Sequence, residues 1–239
     1  MLRHTRLAGE TAEYLAAREE LRLAEIELMR RREEVAAQRR ALPPGPPVDD
    51  YTFLEGPADL DAGDTPVREV RLSELFSAPE RPLIVYQFMY GKKQTDPCPM
   101  CTLWIDGFSG VAHHVTLPHS RLRSSGGTPI ADFVVAAAAD PPVLRRYARN
   151  RGWHGLRLLS CGDSTFKYDT GSEDENGEQD STVSVFTRED DGTVRHFYSA
   201  HPRMADDIKE RGIDLLAPVW HLLDLTPRGR GDWYPSIEY

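Results

Sequence analysis

The sequence predicts an α/β protein, a central mixed sheet flanked by helices, with a helical extension in front. Three observations predict it. The apolar, β-branched and aromatic run Leu83-Ile84-Val85-Tyr86-Gln87-Phe88-Met89-Tyr90 reads as a buried strand. It leads through Cys98-Pro99-Met100-Cys101 into a helix whose Cys101, Trp104, Ile105, Phe108 and Ala112 share one face. Strand and helix patterns then alternate, as parallel strands joined by right-handed crossovers require, before a hairpin marked by Asp190-Asp191-Gly192. Finally, a helical pattern over residues 10–42 stops at Pro43-Pro44-Gly45-Pro46-Pro47, which separates a first unit, 1–47, from a domain spanning 48–239.

In the first unit Tyr14, Leu21, Leu28 and Val35 recur every seven residues, with Ala17 and Ala24 between them. Glu13, Glu20, Glu27 and Glu34 keep the same beat one position earlier. The seam fails at Arg31 and Gln38. The expectation is therefore an amphipathic helix docked on its own domain, or a homodimer contact with a second copy, rather than a long free coiled coil.

In the second unit Tyr51 to Leu54 and Val67 to Leu72 read as short strands, and Ser73 caps a short helix through Phe76. The strand 83–90 and a helix over 99–112 follow, then a basic, glycine-bearing loop from His119 to Pro129. Ile130 to Ala138 is continuous in apolar character, as in a strand buried on both faces. Pro141-Pro142 opens a helix that runs to Arg151 and that Gly152 ends, and Leu156 to Leu159 makes a further strand. Asp169 to Ser181 is acidic and polar. A calcium loop is excluded because Val183 stands where the closing glutamate belongs, so a solvated, mobile loop is expected. Thr182 to Arg188 and Thr193 to Ser199 flank the hairpin turn, and a last helix is expected from Asp206 to Leu223.

Composition excludes several functions. The 239 residues are 40% hydrophobic and 28% charged, ordinary values for a globular chain long enough to bury its own core. A formal net charge of −9 argues against nucleic acid, whose phosphates need a basic face. No run of about 18 apolar residues is present, so no membrane helix is expected. Met1-Leu2-Arg3-His4-Thr5-Arg6 leads into a charged helix, so no signal peptide is expected either. Three cysteines are too few for a disulfide scaffold and fit a reducing cytoplasm. A G-x-S-x-G nucleophile elbow and a G-x-x-x-x-G-K-[ST] phosphate loop are both absent.

The cysteine pair carries the chemistry. Between a strand end and a helix start, with Pro99 suited to the first helical position, a thiol meets unpaired N–H groups and the positive end of the helix dipole. Both favour the thiolate, which is the nucleophile of disulfide exchange, and the placement is that of a thioredoxin-like redox site. A four-cysteine zinc ribbon is excluded because only Cys161 remains.

Further residues carry a family resemblance. They are Glu13-Tyr14-Leu15-Ala16-Ala17-Arg18, Arg40-Ala41-Leu42-Pro43, Val70 to Phe76, Leu83 to Gly91, and Cys98 to Cys101 with Trp104, Asp106, Gly107 and Phe108. To these are added Asp163, Phe166, Tyr168 and Asp169, and the C-terminal stretch Leu223-Asp224-Leu225-Thr226-Pro227-Arg228-Gly229-Arg230. On them the chain resembles a large bacterial family of thioredoxin-like proteins of unassigned function, the domain of unknown function 899 family. The resemblance implies a thioredoxin-like fold and a cytoplasmic bacterial protein, and it implies no substrate. Two departures stand out. Val111 to Pro129 is longer than expected for the family and holds His113, His114, His119, Arg121 and Arg123. Asp180-Ser181-Thr182 occupies the place where thioredoxins put a cis-proline, which weakens the case for ordinary protein-disulfide exchange and leaves peroxide or small-molecule chemistry open.

The expected function is that of a thiol–disulfide oxidoreductase or related thiol-dependent redox enzyme without a cofactor. Cys98 is its exposed nucleophile and Cys101, one turn further in, its resolving thiol. The partner is a small-molecule or protein thiol or disulfide. Tyr86, Gln87 and Tyr90 line the site if strand alternation puts them there, and Trp104, Asp163, Phe166 and Tyr168 are candidates to wall a substrate pocket. An alternative places Cu or Zn on Cys98 and Cys101 with His113 or His114. Those histidines lie roughly 18 Å further along at the helical rise, so this requires the helix to break at Gly107 or Gly110. In a third reading the cysteines are not catalytic and the protein binds a ligand or serves a biosynthetic reaction.

Overall fold

One sheet organises the second unit. In chain order its strands are β1 (Thr52–Glu55), β2 (Arg68–Arg71), β3 (Leu83–Phe88), β4 (Asp132–Ala137), β5 (Arg157–Ser160), β6 (Thr182–Arg188) and β7 (Val194–Ala200). The computed structural model describes residues 7–116, 130–207 and 212–238. Across the sheet the order is β2-β1-β5-β4-β3-β6-β7. The strands β3, β4 and β5 are parallel, while β6 and β7 form the antiparallel hairpin beside β3. The crossover helices are α2 (Pro99–Thr116) between β3 and β4, and α3 (Pro141–Arg151) between β4 and β5. This βαβαβ unit with a following hairpin is a thioredoxin-like arrangement, and β1 and β2 extend it antiparallel beyond β5.

Strand alternation divides the core into two layers. Tyr86 and Phe88 of β3, with Val135 and Ala137 of β4, face Trp104 and Ile105 of α2, Leu144 and Ala148 of α3, and Trp220 of α5 (Pro218–Asp224). Leu83 and Val85, with Val134, Ala136 and Leu159, face Leu72 and Leu75 of a short 3-10 turn, Phe76 just after it, and Phe166 of α4 (Phe166–Asp169). Each large side chain buried in these layers contributes roughly 1.5–3 kcal/mol of transfer free energy.

The first unit, Met1–Pro43, contains α1 (Ala12–Arg40), whose N-cap Thr11 accepts the Tyr14 N–H at 3.1 Å. No residue of α1 is buried, and Tyr14, Leu21 and Leu28 are each more than half exposed at 53%, 58% and 60%. Arg31 and Gln38 interrupt the apolar stripe that these side chains make. The Pro-rich run after it belongs to the second unit, Pro44–Tyr239, where it lies along β7. Pro47 bridges Arg195, and Pro46 accepts the His196 N–H at 3.1 Å.

Other expectations change in detail. Helix α2 passes Gly107 and Gly110 without a break and ends at Thr116. Of the helix expected from Asp206 to Leu223, residues 208–211 lie outside the described residues. The part from 212 onward holds a 3-10 turn, Asp214–Leu216, followed by α5, because Pro218 has no N–H to continue a helix and starts a new one instead. The acidic segment after Asp169 is built rather than free. Glu173 bridges Gln179, Ser172 and Gln179 are buried, and Asp174 Oδ1 accepts the N–H groups of Asn176 and Glu178 at 2.9 and 2.8 Å. The basic loop from His119 lies outside the described residues. Among those residues, no helix is long and apolar enough to cross a membrane.

Gly91, just beyond β3, has φ +96°, and a Cβ there would stand 2.1 Å from the Ala139 nitrogen. Gly91→Ala is therefore expected to destabilise the fold by about 2–4 kcal/mol, read as a lowered urea midpoint.

Candidate active site

The site grows from the end of β3. The Met89 carbonyl accepts the Cys98 N–H at 3.2 Å, which fixes Cys98 in the residue before α2. The Cys98 carbonyl then accepts the first helical bonds, from the Thr102 N–H and the Thr102 hydroxyl, both at 3.0 Å. The Thr102 hydroxyl also meets the Tyr147 hydroxyl at 3.0 Å, which ties α2 to α3. Cys98 is half-buried, Cys101 is fully buried one turn inward, and no disulfide joins them.

Burial pushes the Cys101 thiol well up, and Cys98 beside it pushes in the same direction. The Tyr86 hydroxyl and the Met89 N–H, both facing the Cys101 sulfur, work against that rise. The Tyr86 hydroxyl is fully buried and makes no hydrogen bond within normal geometry. Burial first, then Cys101, raise its pKa well above the ordinary phenol, while the neighbouring Ser181 hydroxyl lowers it. A buried donor held beside two sulfurs is suited to receive an ionised thiol. The ring is fixed edge-on by Trp104 at 6.3 Å and Phe108 at 5.1 Å between centroids.

Of the residues singled out from sequence, Cys98, Cys101, Tyr86 and Trp104 come together. Tyr90 stacks nearby on Phe88 and Tyr147, at 5.6 and 5.7 Å. Gln87 does not join them. Alternation turns it to the opposite face, where its Nε2 donates to Thr170 Oγ1 at 2.9 Å and its Oε1 accepts from Ser172 at 2.6 Å. Phe166 packs in the layer away from the thiols, edge-on to Tyr51 and Phe53, while Asp163 and Tyr168 are exposed. The Cu or Zn set of Cys98 and Cys101 with His113 or His114 is not assembled either. Helix α2 runs unbroken between them, and no group of three potential ligands forms among the described residues.

Sequence reasoning missed Ser181, which fills the place expected for a cis-proline and is buried beside Tyr86. It also missed Lys167, a charged residue with no exposed surface. The one signal for Lys167 was its position between two aromatic residues, Phe166 and Tyr168. A separate cavity of about 320 Å³ is lined by Glu55, Arg68, Arg145 and Arg157. Its charges satisfy one another, since Glu55 accepts from Arg157 at 2.6 Å and from Arg68 at 2.8 Å, and Arg145 donates to four backbone carbonyls.

The chain belongs to the family described as bacterial protein of unknown function (DUF899), whose model matches residues 4–238. Among solved structures it is similar to a PrxQ mutant of Xylella fastidiosa, at 11% identity over 73% of this chain and 93% of that one, with a TM-score of 0.47. It is similar to AhpC of Mycobacterium bovis at 18% identity over 77% and 98% of the two chains, with a TM-score of 0.45. A peroxiredoxin-like protein from Aquifex aeolicus matches at 13% identity over 67% and 76%, with a TM-score of 0.41. No curated protein matches the chain.

Tyr86→Phe tests the buried hydroxyl. Removing an unpaired buried group is expected to leave stability unchanged or raise it by up to about 1 kcal/mol in urea unfolding. Closure of a Cys98–Cys101 disulfide should slow by up to about tenfold in stopped-flow oxidation, the worth of one hydrogen bond to an ionised sulfur.

Proposed function

We propose that this protein is a thiol–disulfide oxidoreductase, or a closely related thiol-dependent redox enzyme, acting through Cys98 and Cys101 on a small-molecule or protein disulfide. The observation that carries this reading is the graded burial of the pair, with Cys98 half-buried ahead of α2 and Cys101 fully buried a turn below it. A nucleophile needs access. A resolving thiol needs proximity and protection from competing reagents.

In the forward direction the Cys98 thiolate attacks one sulfur of the substrate disulfide. The Cys98–substrate bond forms, and the other substrate sulfur leaves as a thiolate that takes a proton from water. Cys101 then loses its proton and attacks the Cys98 sulfur, releasing the second substrate thiol. The substrate disulfide is reduced to two thiols, and the enzyme pair is oxidised to a disulfide. An external thiol returns the pair to the reduced state, which fits a reducing compartment such as the cytoplasm.

Cys98→Ser is expected to abolish turnover of a disulfide substrate, and Cys101→Ser to accumulate a mixed disulfide on Cys98 visible by intact-mass spectrometry. Iodoacetamide should label Cys98 first in the native chain, with Cys101 and Cys161 protected until unfolding. Full turnover in both serine variants would overturn the reading.

A further inference from the structure

Lys167 is fully buried at the start of the short helix α4, yet no carboxylate pairs with it among the described residues. Its Nζ donates to the Phe88 carbonyl at 3.2 Å. That carbonyl already accepts the Tyr90 N–H at 3.0 Å, so both of its lone pairs are used. The nearby carboxylate, Glu173, is held by Lys92 at 3.0 Å. A buried, unpaired ammonium carries a large desolvation cost, and such groups persist where a charge is needed. Burial lowers the pKa of Lys167, and Lys92 acts in the same sense. Cys161 first, then Cys101 and Glu173, act to keep it charged.

Phe88 C=O and Met89 N–H are the two ends of one peptide group. Lys167 holds the oxygen end, and the N–H end faces the Cys101 sulfur. A cation on a carbonyl oxygen draws electron density through the amide and makes the N–H a stronger donor. Cys101 is the thiol that must ionise in a buried place during resolution. We infer that Lys167 is a positioning residue for the thiol pair, an ammonium that acts through the Phe88–Met89 peptide to stabilise the Cys101 thiolate. The inference rests on the proposed redox use of Cys98 and Cys101.

The test is the rate at which Cys101 resolves a mixed disulfide formed between Cys98 and glutathione in the full chain, followed by rapid quench and intact-mass spectrometry. Lys167→Met removes the charge, and Lys167→Gln keeps a donor to the Phe88 carbonyl without it. Burial keeps Cys101 protonated in the resting pair, so the ammonium acts on the thiolate that forms during resolution. Both variants are expected to slow resolution about tenfold at neutral pH. The pH at which Cys101 resolves the mixed disulfide should rise in both.

An unchanged resolution rate in Lys167→Gln overturns the inference. So does a slowing that disappears when Cys161 is replaced by Ala, because the lysine would then act on Cys161. If neither variant folds, the side-chain nitrogen resonance of Lys167 in the wild-type chain decides. It should be that of an ammonium at neutral pH, and a neutral amine there refutes the link. A wild-type chain that forms no Cys98–Cys101 disulfide at any glutathione ratio refutes the redox reading itself and takes this inference with it, an outcome distinct from the others.

Discussion

Three successive carbonyls at the end of β3 hold the functional half of this molecule together. Phe88 accepts from Lys167, Met89 from the Cys98 N–H at 3.2 Å, and Tyr90 from the Ala139 N–H at 2.9 Å. Each bond ties a different element to the same strand end: α4, the start of α2, and the connection from β4 to α3. Met89 and Tyr90 lie beyond the paired residues of β3, so their oxygens are satisfied by the loops that converge there, while the carbonyl of Phe88, the last paired residue, takes Lys167 beside the Tyr90 N–H. The cysteine pair owes its position to that requirement, since the Cys98 N–H is one of the donors.

The sheet keeps its chemistry on one face and its polar bracing on the other. Toward α2 the β3 side chains are aromatic and enclose Cys101, where a desolvated sulfur meets the Tyr86 hydroxyl. On the opposite face Gln87 links Thr170, Ser172 and Ser184, and Ser184 meets Ser199 at 3.0 Å. Buried amide and hydroxyl groups satisfied in this way rigidify a strand. The network joins β3 to the hairpin and to the segment after α4, so the strand that carries the thiols is braced from behind by groups that never touch them.

Local patterns in the sequence were enough to place β3, the start of α2 and the hairpin, because burial and turn chemistry act within a few residues there. Gly152 ends α3 with φ +73°, as a glycine after an amphipathic run should. Elements that depend on distant partners were not legible. Helix α4 has four residues, too few to form alone. It is held by contacts such as that between Lys167 and Phe88, 79 positions apart. The acidic segment looked unstructured because its partner, Lys92, lies 81 residues before Glu173. Gln87 was misplaced for a different reason. A strand buried on both faces shows no polar alternation, so its register is invisible until its neighbours are known.

The Pro-rich run beside β7 bears on how the chain behaves in a crowded cell. An outermost strand exposes a row of backbone donors and acceptors that invites a strand from another molecule. Here Pro46 and Pro47 lie against β7 and bring no N–H of their own, so the hydrogen-bonding row ends with them. At the other margin β2 is four residues long, and its Arg68, Glu69 and Arg71 point outward as charges. Both margins therefore resist edge-to-edge addition, and the sheet is closed to growth without being closed into a barrel.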